Sequence, residues 1–320
     1  MDARELRPHV AALFGAGRRG TRLGVEQELV VTDLTTGGTV APEVVRAATV
    51  GRDYAAHLGF EPGGQVELSL PCGPSTTAVA AGLAGAVGDL TDDLARIGVR
   101  LAAVPVDARP EAMVPLRLHT ERYLRMQAHF DTIGPAGRRM MRRTASTQVC
   151  LDWWPGEAGR EQWRVLQLAG PFLAAAFARS GGPHGRLATW LAVDPTRTAF
   201  DDRLLAGDDP VTAYAEFAAG ATVFTAPDAV THLSTMFPPV RPRGRYLEVR
   251  FLDVQECAGV RRVLEAVARL AYDDDHRRSW LRRLEPGAAS LGEQWAAAAA
   301  GSAALAAASR EIAGLTRAAA

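Results

Sequence analysis

The sequence contains no lysine, so all 36 residues of its Lys+Arg count are arginine. That absence excludes a P-loop lysine, a Schiff-base lysine and a lysine nucleophile. Any clamp for a phosphate or carboxylate must then be a guanidinium, whose planar fork meets such groups bidentately. Cysteine is scarce: Cys72, Cys150 and Cys257 lie far apart and form no CxxC pair. Neither a zinc ribbon nor a disulfide framework is therefore indicated. Surplus charge is missing too, since Asp+Glu also number 36 and the formal net charge is zero. A neutral chain lacks the cationic excess through which proteins bind nucleic acid in general. No run of about 18 apolar residues occurs, so no membrane span is expected. The opening MDARELRPHVAALF carries charges throughout and has no apolar centre of a secretory signal. These absences predict a reducing, cytoplasmic location and neither nucleic acid nor membrane as partner.

What is present is ordinary in bulk and unusual in placement. Hydrophobic residues make up 48% of the chain, enough for a sizeable core. Alternation predicts strands at 23–32, 65–70, 144–153 and 246–253. Helical spacing predicts a short amphipathic helix within 1–20 and a long one starting at Ser75 and ending near Gly98. Further helices are read at Thr120–Phe130, Glu161–Ala178, Gly259–Tyr272 and Ser290–Leu315, while 200–230 gives weak signals. The segment Pro238–Gly244 reads as an extended, proline-stiffened approach to the last strand. The spacing is irregular and no Gly-rich phosphate loop follows any strand. An α+β fold with a mostly antiparallel sheet is favoured over a doubly wound one. It forms a single domain over 1–320, closed by helices from 257 onward.

Three of these strands carry glutamates where Val and Leu are expected. In GVEQEL, Glu26 and Glu28 are two apart and leave the same face; Glu67 interrupts GGQVELSLP, and Glu248 interrupts RYLEVRFLD. A solvated sheet face would explain any one of them. Converging from separate strands, they would make an oxygen-rich cage suited to Mg²⁺ or Mn²⁺ rather than zinc. Such ions beside arginines fit phosphoryl transfer from ATP, and equally metal-assisted hydrolysis. Arg250 shares a strand face with Glu248, and Gln148 lies on a neighbouring strand. Arg186 is the next arginine candidate, followed by Arg143, Arg241 and Arg243. His184 and His232 lack partners at ligand spacing and read as structural. Cys72 and Cys150 read as buried fillers, and Trp153, Trp154, Trp163 and Trp190 as core or pocket wall.

The blocks GVEQEL, FEPGGQVELS, RYLRMQAHFDTIGPAGRRMMRRTASTQVCLDW, DPTRT and HLSTMFPPVRPRGRYLEVRFLD, in that order, resemble the plant and actinobacterial glutamate–cysteine ligase family. The nearest likeness is to its ergothioneine-pathway branch. The resemblance implies a glutamine-synthetase-like, curved, mostly antiparallel sheet backed by helices. It implies ATP, Mg²⁺, L-glutamate and L-cysteine as ligands, and a γ-glutamyl phosphate intermediate. By position, Glu26, Glu28, Glu67 and Glu248 fall on the family's metal-binding glutamates, and Gln148 on the strand beside them. Arg186, spaced to Trp190 as in the family's S-x-R-x-x-x-W motif, and Arg250 of the E-x-R motif are implied catalytic residues. Arg143 and Arg241 join Gln148, Arg186 and Arg250 as implied substrate or nucleotide contacts. Two stretches depart from the family: FARSGGPHGRLATW is shorter than its counterpart, with Arg179 in place of an asparagine, and residues 200–230 are too short for the strand pair the family carries between DPTRT and the FPPVR block. Two alternatives follow, a ligase using another amine and an inactive paralogue that binds glutamate or nucleotide.

Overall fold

Strand alternation decides the architecture. In the strand β1 (Leu23–Asp33), Leu23, Val25, Gln27 and Leu29 are buried on one face, while Gly24, Glu26 and Glu28 point to the other. The computed structural model describes residues 1–225 and 228–314. The other strands are β2 (Leu58–Phe60), β3 (Val66–Ser69), β4 (Val99–Ala102), β5 (Thr147–Asp152), β6 (Val240–Pro242) and β7 (Tyr246–Val249). They join in the order β2-β3-β1-β5-β7-β6, with β4 against the second half of β1, and every pairing is antiparallel. Pro242 sits in the outermost strand, where a missing N–H costs no ladder bond.

The register aligns the glutamates. Glu28 stands opposite Glu67, Glu26 opposite Gln148, and Glu248 opposite both Cys150 and Arg241. The opposite parity of β3, β5 and β7 supplies Val66, Leu68, Val149, Leu247 and Val249, each 0% exposed. Burying each such side chain contributes about 1.5–3 kcal/mol. The helices Thr76–Ala95 and Cys257–Tyr272 pack on each other and on the sheet, and Gly156–Ala176 packs on Cys257–Tyr272. Packing one face this way leaves the glutamate face free to form a site.

The α+β reading and the antiparallel sheet hold. Ser75 caps the long helix by accepting from the Ala78 N–H. The last strand stops at Val249, four residues short of its expected end. The tail expected as one helix is two, Leu291–Ala300 and Ala303–Ile312, separated at Gly301 with φ 72°. The end expected at Leu315 lies outside the described residues. Among the helices not foreseen, Pro135–Arg143 and Asp274–Leu284 are dominated by arginine and hold few apolar residues. Cys72 is exposed and Cys150 half-buried, so neither is the buried filler expected. No described helix is long and apolar enough to cross a membrane.

Candidate active site

A cavity of about 440 Å³ lies over the glutamate face of the sheet. Its wall holds Glu26, Glu28, Glu67, Glu248, Gln148, Arg186, Arg241 and Arg250, drawn from positions 26 to 250 of the chain. Arg143 is a correction. It does not line the cavity, because its Nε and Nη2 donate to the Asp107 carbonyl oxygen at 3.1 and 2.8 Å. Arg243, a candidate from the sequence, lines the cavity as well, and the geometry adds Glu61, Gln65, Arg122 and Tyr123.

Within this wall the tight acidic cluster is Glu28, Glu61 and Glu67, one oxygen of each within 4.8 Å of the others. Glu28 is fixed by β5: its Oε2 accepts from the Ser146 N–H at 2.7 Å and its Oε1 from Gln148 Nε2 at 2.8 Å. Glu67 accepts from Ser69 Oγ at 3.0 Å. Glu61 comes from the turn between β2 and β3, closed by the Glu61 N–H to the Gln65 carbonyl and the Gly64 N–H to the Glu61 carbonyl, both 2.8 Å. Its carboxyl is pushed well above the ordinary range by burial and by the charges of Glu28 and Glu67. Burial and Glu28 likewise raise Glu67, against the pull of its Ser69 hydrogen bond.

Glu248 has a different environment from the cage expected of it. Its Oε2 accepts from Arg241 Nε at 2.6 Å and Arg250 Nη1 at 3.1 Å, and its Oε1 accepts from Arg241 Nη2 at 3.1 Å. Burial opposes ionisation, yet the two guanidiniums win and hold the carboxyl down at about 2. Glu26 lies between the two groupings and is pushed up to about 8 by burial and by the charges of Glu248 and Glu67. It accepts a weak hydrogen bond from the Cys150 thiol at 3.7 Å.

Arg186 is buried and donates to the Phe251 and Arg250 carbonyl oxygens at 3.1 and 3.0 Å, with its guanidinium 5.1 Å from the Trp190 ring centroid. It braces the irregular segment after β7, whose first residue is Arg250. The cavity also concentrates unmet hydrogen-bonding capacity. Gln65 Oε1, Arg122 Nε, Gln148 Oε1, Trp190 Nε1 and Arg250 Nε are buried without a partner. Buried polar atoms are normally satisfied, so this grouping points to a polar ligand.

The donor set passes a test for a divalent cation. The charge of Glu28 helps raise the proton affinity of Glu61 and Glu67 beside it, and a hard cation with oxygen ligands relieves that repulsion. No thiol or imidazole joins the cluster, which argues against zinc.

Sheet and site together define an α+β protein with an oxygen-rich pocket flanked by arginines. The chain belongs to the glutamate-cysteine ligase family 2, whose sequence profile matches residues 22–317. It is 32% identical over 281 residues to the glutamate–cysteine ligase EgtA of Mycolicibacterium smegmatis, covering 72% of this chain and 64% of that one. Against EgtA of Mycobacterium tuberculosis H37Rv it is 30% identical over 247 residues, covering 61% and 55%. The chain thus spans less than two thirds of the length of these relatives. A bifunctional glutathione synthetase from Pasteurella multocida superposes with TM-score 0.46 and 12% identity over 98% of this chain and 48% of that one. A likeness at that score adds nothing to the assignment.

Proposed function

We propose that the protein is an ATP-dependent ligase that joins the side-chain carboxylate of L-glutamate to the amine of L-cysteine. Its product would be γ-glutamylcysteine, destined for ergothioneine, and its ions Mg²⁺ or Mn²⁺. The observation that carries this reading is the Glu28–Glu61–Glu67 cluster sharing one cavity with Arg241 and Arg250. The names of the relatives supply the acceptor.

Glu28, Glu61 and Glu67 would hold the cation, with Glu26 beside them and Glu248 nearer the arginines. When bound, a divalent ion supplies charge neutralisation to the triphosphate. Arg241 and Arg250 stand ready for anionic oxygens, and Glu248 keeps both guanidiniums in place until substrate competes for them. Gln148 spends its Nε2 on Glu28 and keeps Oε1 for a substrate donor such as the glutamate ammonium. Arg186 acts through the backbone of Arg250 and is a positioning residue in this reading. The glutamate γ-carboxylate oxygen attacks the terminal phosphorus, and ADP leaves. The cysteine nitrogen then attacks the acyl carbon, the C–O bond to phosphate breaks, and the amine gives up a proton. The chain needs no covalent nucleophile, so catalysis rests on positioning and charge complementarity.

The test is mass spectrometry of products from purified protein with ATP, Mg²⁺, glutamate and competing amines. γ-Glutamylcysteine with stoichiometric ADP supports the reading, and its absence across the panel ends it. A second reading, a ligase for another amine, draws on the short 177–190 segment, which Arg179 ties to Glu256 at 2.6 Å. A different γ-glutamyl amide in the same panel would select it. Nucleotide binding without ADP release would mark an inactive paralogue.

A further inference from the structure

One of the stretches that depart from the family, FARSGGPHGRLATW, is short, yet it still delivers Arg186 and Trp190 to the cavity wall. The GGPHG run makes this possible by reversing the chain between Gly181 and Gly185. Gly182 lies in the left-handed region at φ 69°, and the Gly185 N–H donates to the Gly182 carbonyl at 3.0 Å. A Cβ at Gly185 would stand 3.0–3.1 Å from Gly181 backbone atoms, so the two ends of the turn touch. That closure brings Ser180 to the start of the helix Arg186–Leu191. The helix has no side-chain cap at Gly185. Ser180 Oγ accepts from the Arg186 N–H instead, at 2.9 Å.

A buried carboxylate anchors this turn. Asp253 Oδ2 accepts from the Arg179 N–H at 2.8 Å, the Ser180 N–H at 2.7 Å and Ser180 Oγ at 2.9 Å. Asp253 belongs to the irregular segment after β7, whose Arg250 and Phe251 carbonyls take the two Arg186 donors. The two segments therefore clasp each other twice. Asp253 grips the Arg186 backbone through Ser180, and the Arg186 guanidinium grips the Arg250 backbone. Ser180 Oγ joins the two halves, since it donates to Asp253 while accepting from Arg186. The Asp253 backbone is fixed separately, bridged to Ser146, whose N–H holds Glu28. Arg179 closes the outside, with Nη1 donating to the Ala103 and Val254 carbonyls at 2.7 and 2.9 Å.

We propose that Ser180 is a positioning residue for Arg250, relaying the hold of Asp253 through Arg186. The assignment rests on the ligase reading above and deepens it, because the short stretch then serves as a closed clasp that keeps the arginine clamp in place. Arg250 spends Nη1 on Glu248 and keeps a buried, unmet Nε for the ligand. That donor is aimed only if the Arg250 backbone is held, and small displacements of a positioning group weaken binding and catalysis steeply. Arg186 holds that backbone firmly only while its own N–H is tied to Ser180.

The test compares Ser180→Ala, which lacks the bridging oxygen, with Ser180→Thr, which keeps it, both in the full chain. Hydrogen exchange across 250–254 of the ligand-free protein should be about tenfold faster in Ser180→Ala, the effect of two lost hydrogen bonds. Exchange across 23–33 should not change, and Ser180→Thr should match the wild type. Unchanged exchange in Ser180→Ala, or equally fast exchange in both variants, overturns the clasp with no ligand involved. Affinity for Mg²⁺·ADP, read by calorimetry, should fall about tenfold in Ser180→Ala and return to within about twofold of wild type in Ser180→Thr. Mn²⁺ affinity without nucleotide should stay within about twofold in both, because the acidic cluster is held elsewhere. A purely structural serine would lower the melting temperature and leave the ADP affinity unmoved, and that result overturns the positioning role. If Ser180→Ala does not fold, the wild type decides: Mg²⁺·ADP should slow exchange across 179–186, and unchanged exchange at saturation overturns the proposal. The two readings fail separately. Weaker Mg²⁺·ADP binding in Ser180→Ala without any γ-glutamyl product keeps the clasp and ends the ligase reading. Product formed by Ser180→Ala with wild-type kcat and KM for ATP keeps the ligase and ends the positioning role.

Discussion

Glu28 and Glu67 stand directly opposite each other on neighbouring antiparallel strands, two carboxylates at a cross-strand position where like charges repel. Such a pair persists because the rest of the fold overrides its repulsion. Val66 and Leu68 flank Glu67 on the buried face, while Ser146 and Gln148 hold Glu28 from the other side. Glu61 then adds a third carboxylate to the same spot. An arrangement that destabilises the metal-free protein and is relieved by a cation makes opposite predictions for the two states.

Glu61→Gln should therefore raise or preserve the melting temperature in EDTA, because it removes a carboxyl whose ionisation is opposed by burial and by the charges of Glu28 and Glu67. The same variant should lose most of the stabilisation that Mn²⁺ gives the wild type, since binding to the folded state alone stabilises it by mass action. Mn²⁺ affinity, read by calorimetry, should fall more than about tenfold. Wild-type Mn²⁺ affinity in Glu61→Gln would remove Glu61 from the cation site.

Glu26 gives a pH dependence with a definite sign. Its folded-state carboxyl titrates at about 8, against an ordinary 4.5. The folded protein then binds a proton that the unfolded chain has released, so this group's contribution is complete below pH 4.5 and is lost as pH rises through about 8. In EDTA the melting temperature should decline across that window, and Glu26→Gln should flatten the decline. Parallel curves for wild type and variant would show that Glu26 does not titrate there.

Glu248 works in the opposite direction. Its carboxyl is held at about 2, so its contribution is present above 4.5 and is lost as pH falls through about 2. Glu248→Gln leaves Arg241 and Arg250 without their buried counter-charge, each only 16% exposed. Removing one partner of a buried ion pair costs about 3–5 kcal/mol, so urea unfolding should show a loss of that order. Arg241→Met combined with Glu248→Gln should cost less than the sum of the single changes, because the two groups interact directly. Additive losses would show that the pair is not coupled.

Legibility in the sequence followed periodicity. β1, β3 and β5 were readable because charged and apolar residues alternate there, and the same alternation exposed Glu26, Glu28 and Glu67. Glu61 escaped because it lies in a turn before Pro62, where an acidic residue is ordinary. Its one signal was its place in the FEPGG block, six residues before Glu67. Arg122 escaped because it reaches the cavity from the helix Glu121–Asp131, a long-range placement that no local pattern encodes. Arg143 fails for a related reason: in an arginine-rich helix with few apolar residues, nothing local says which guanidinium faces the site. The pairing of Glu248 with Arg241 was also hidden, since it depends on β6 lying beside β7.

Gly63 shows how the acidic cluster depends on a backbone fit remote from any charge. A Cβ at this position would overlap the Arg142 carbonyl oxygen and crowd the Arg142 Cα, so only glycine lets the turn lie against the helix Pro135–Arg143. The turn carries Glu61 two residues earlier and is tied from the other side by the Arg117 N–H to the Pro62 carbonyl at 2.6 Å. Gly63→Ala must push the turn off that helix, at a cost of about 1–3 kcal/mol for overpacking. The shift acts on Glu61 first, because Glu28 and Glu67 are held by their own strands. The variant should therefore lose Mn²⁺ affinity in calorimetry, while Arg142→Ala, which keeps the carbonyl in place, should leave it near wild type. Equal Mn²⁺ affinity in Gly63→Ala and wild type would show that Glu61 is positioned by its own turn rather than by this contact.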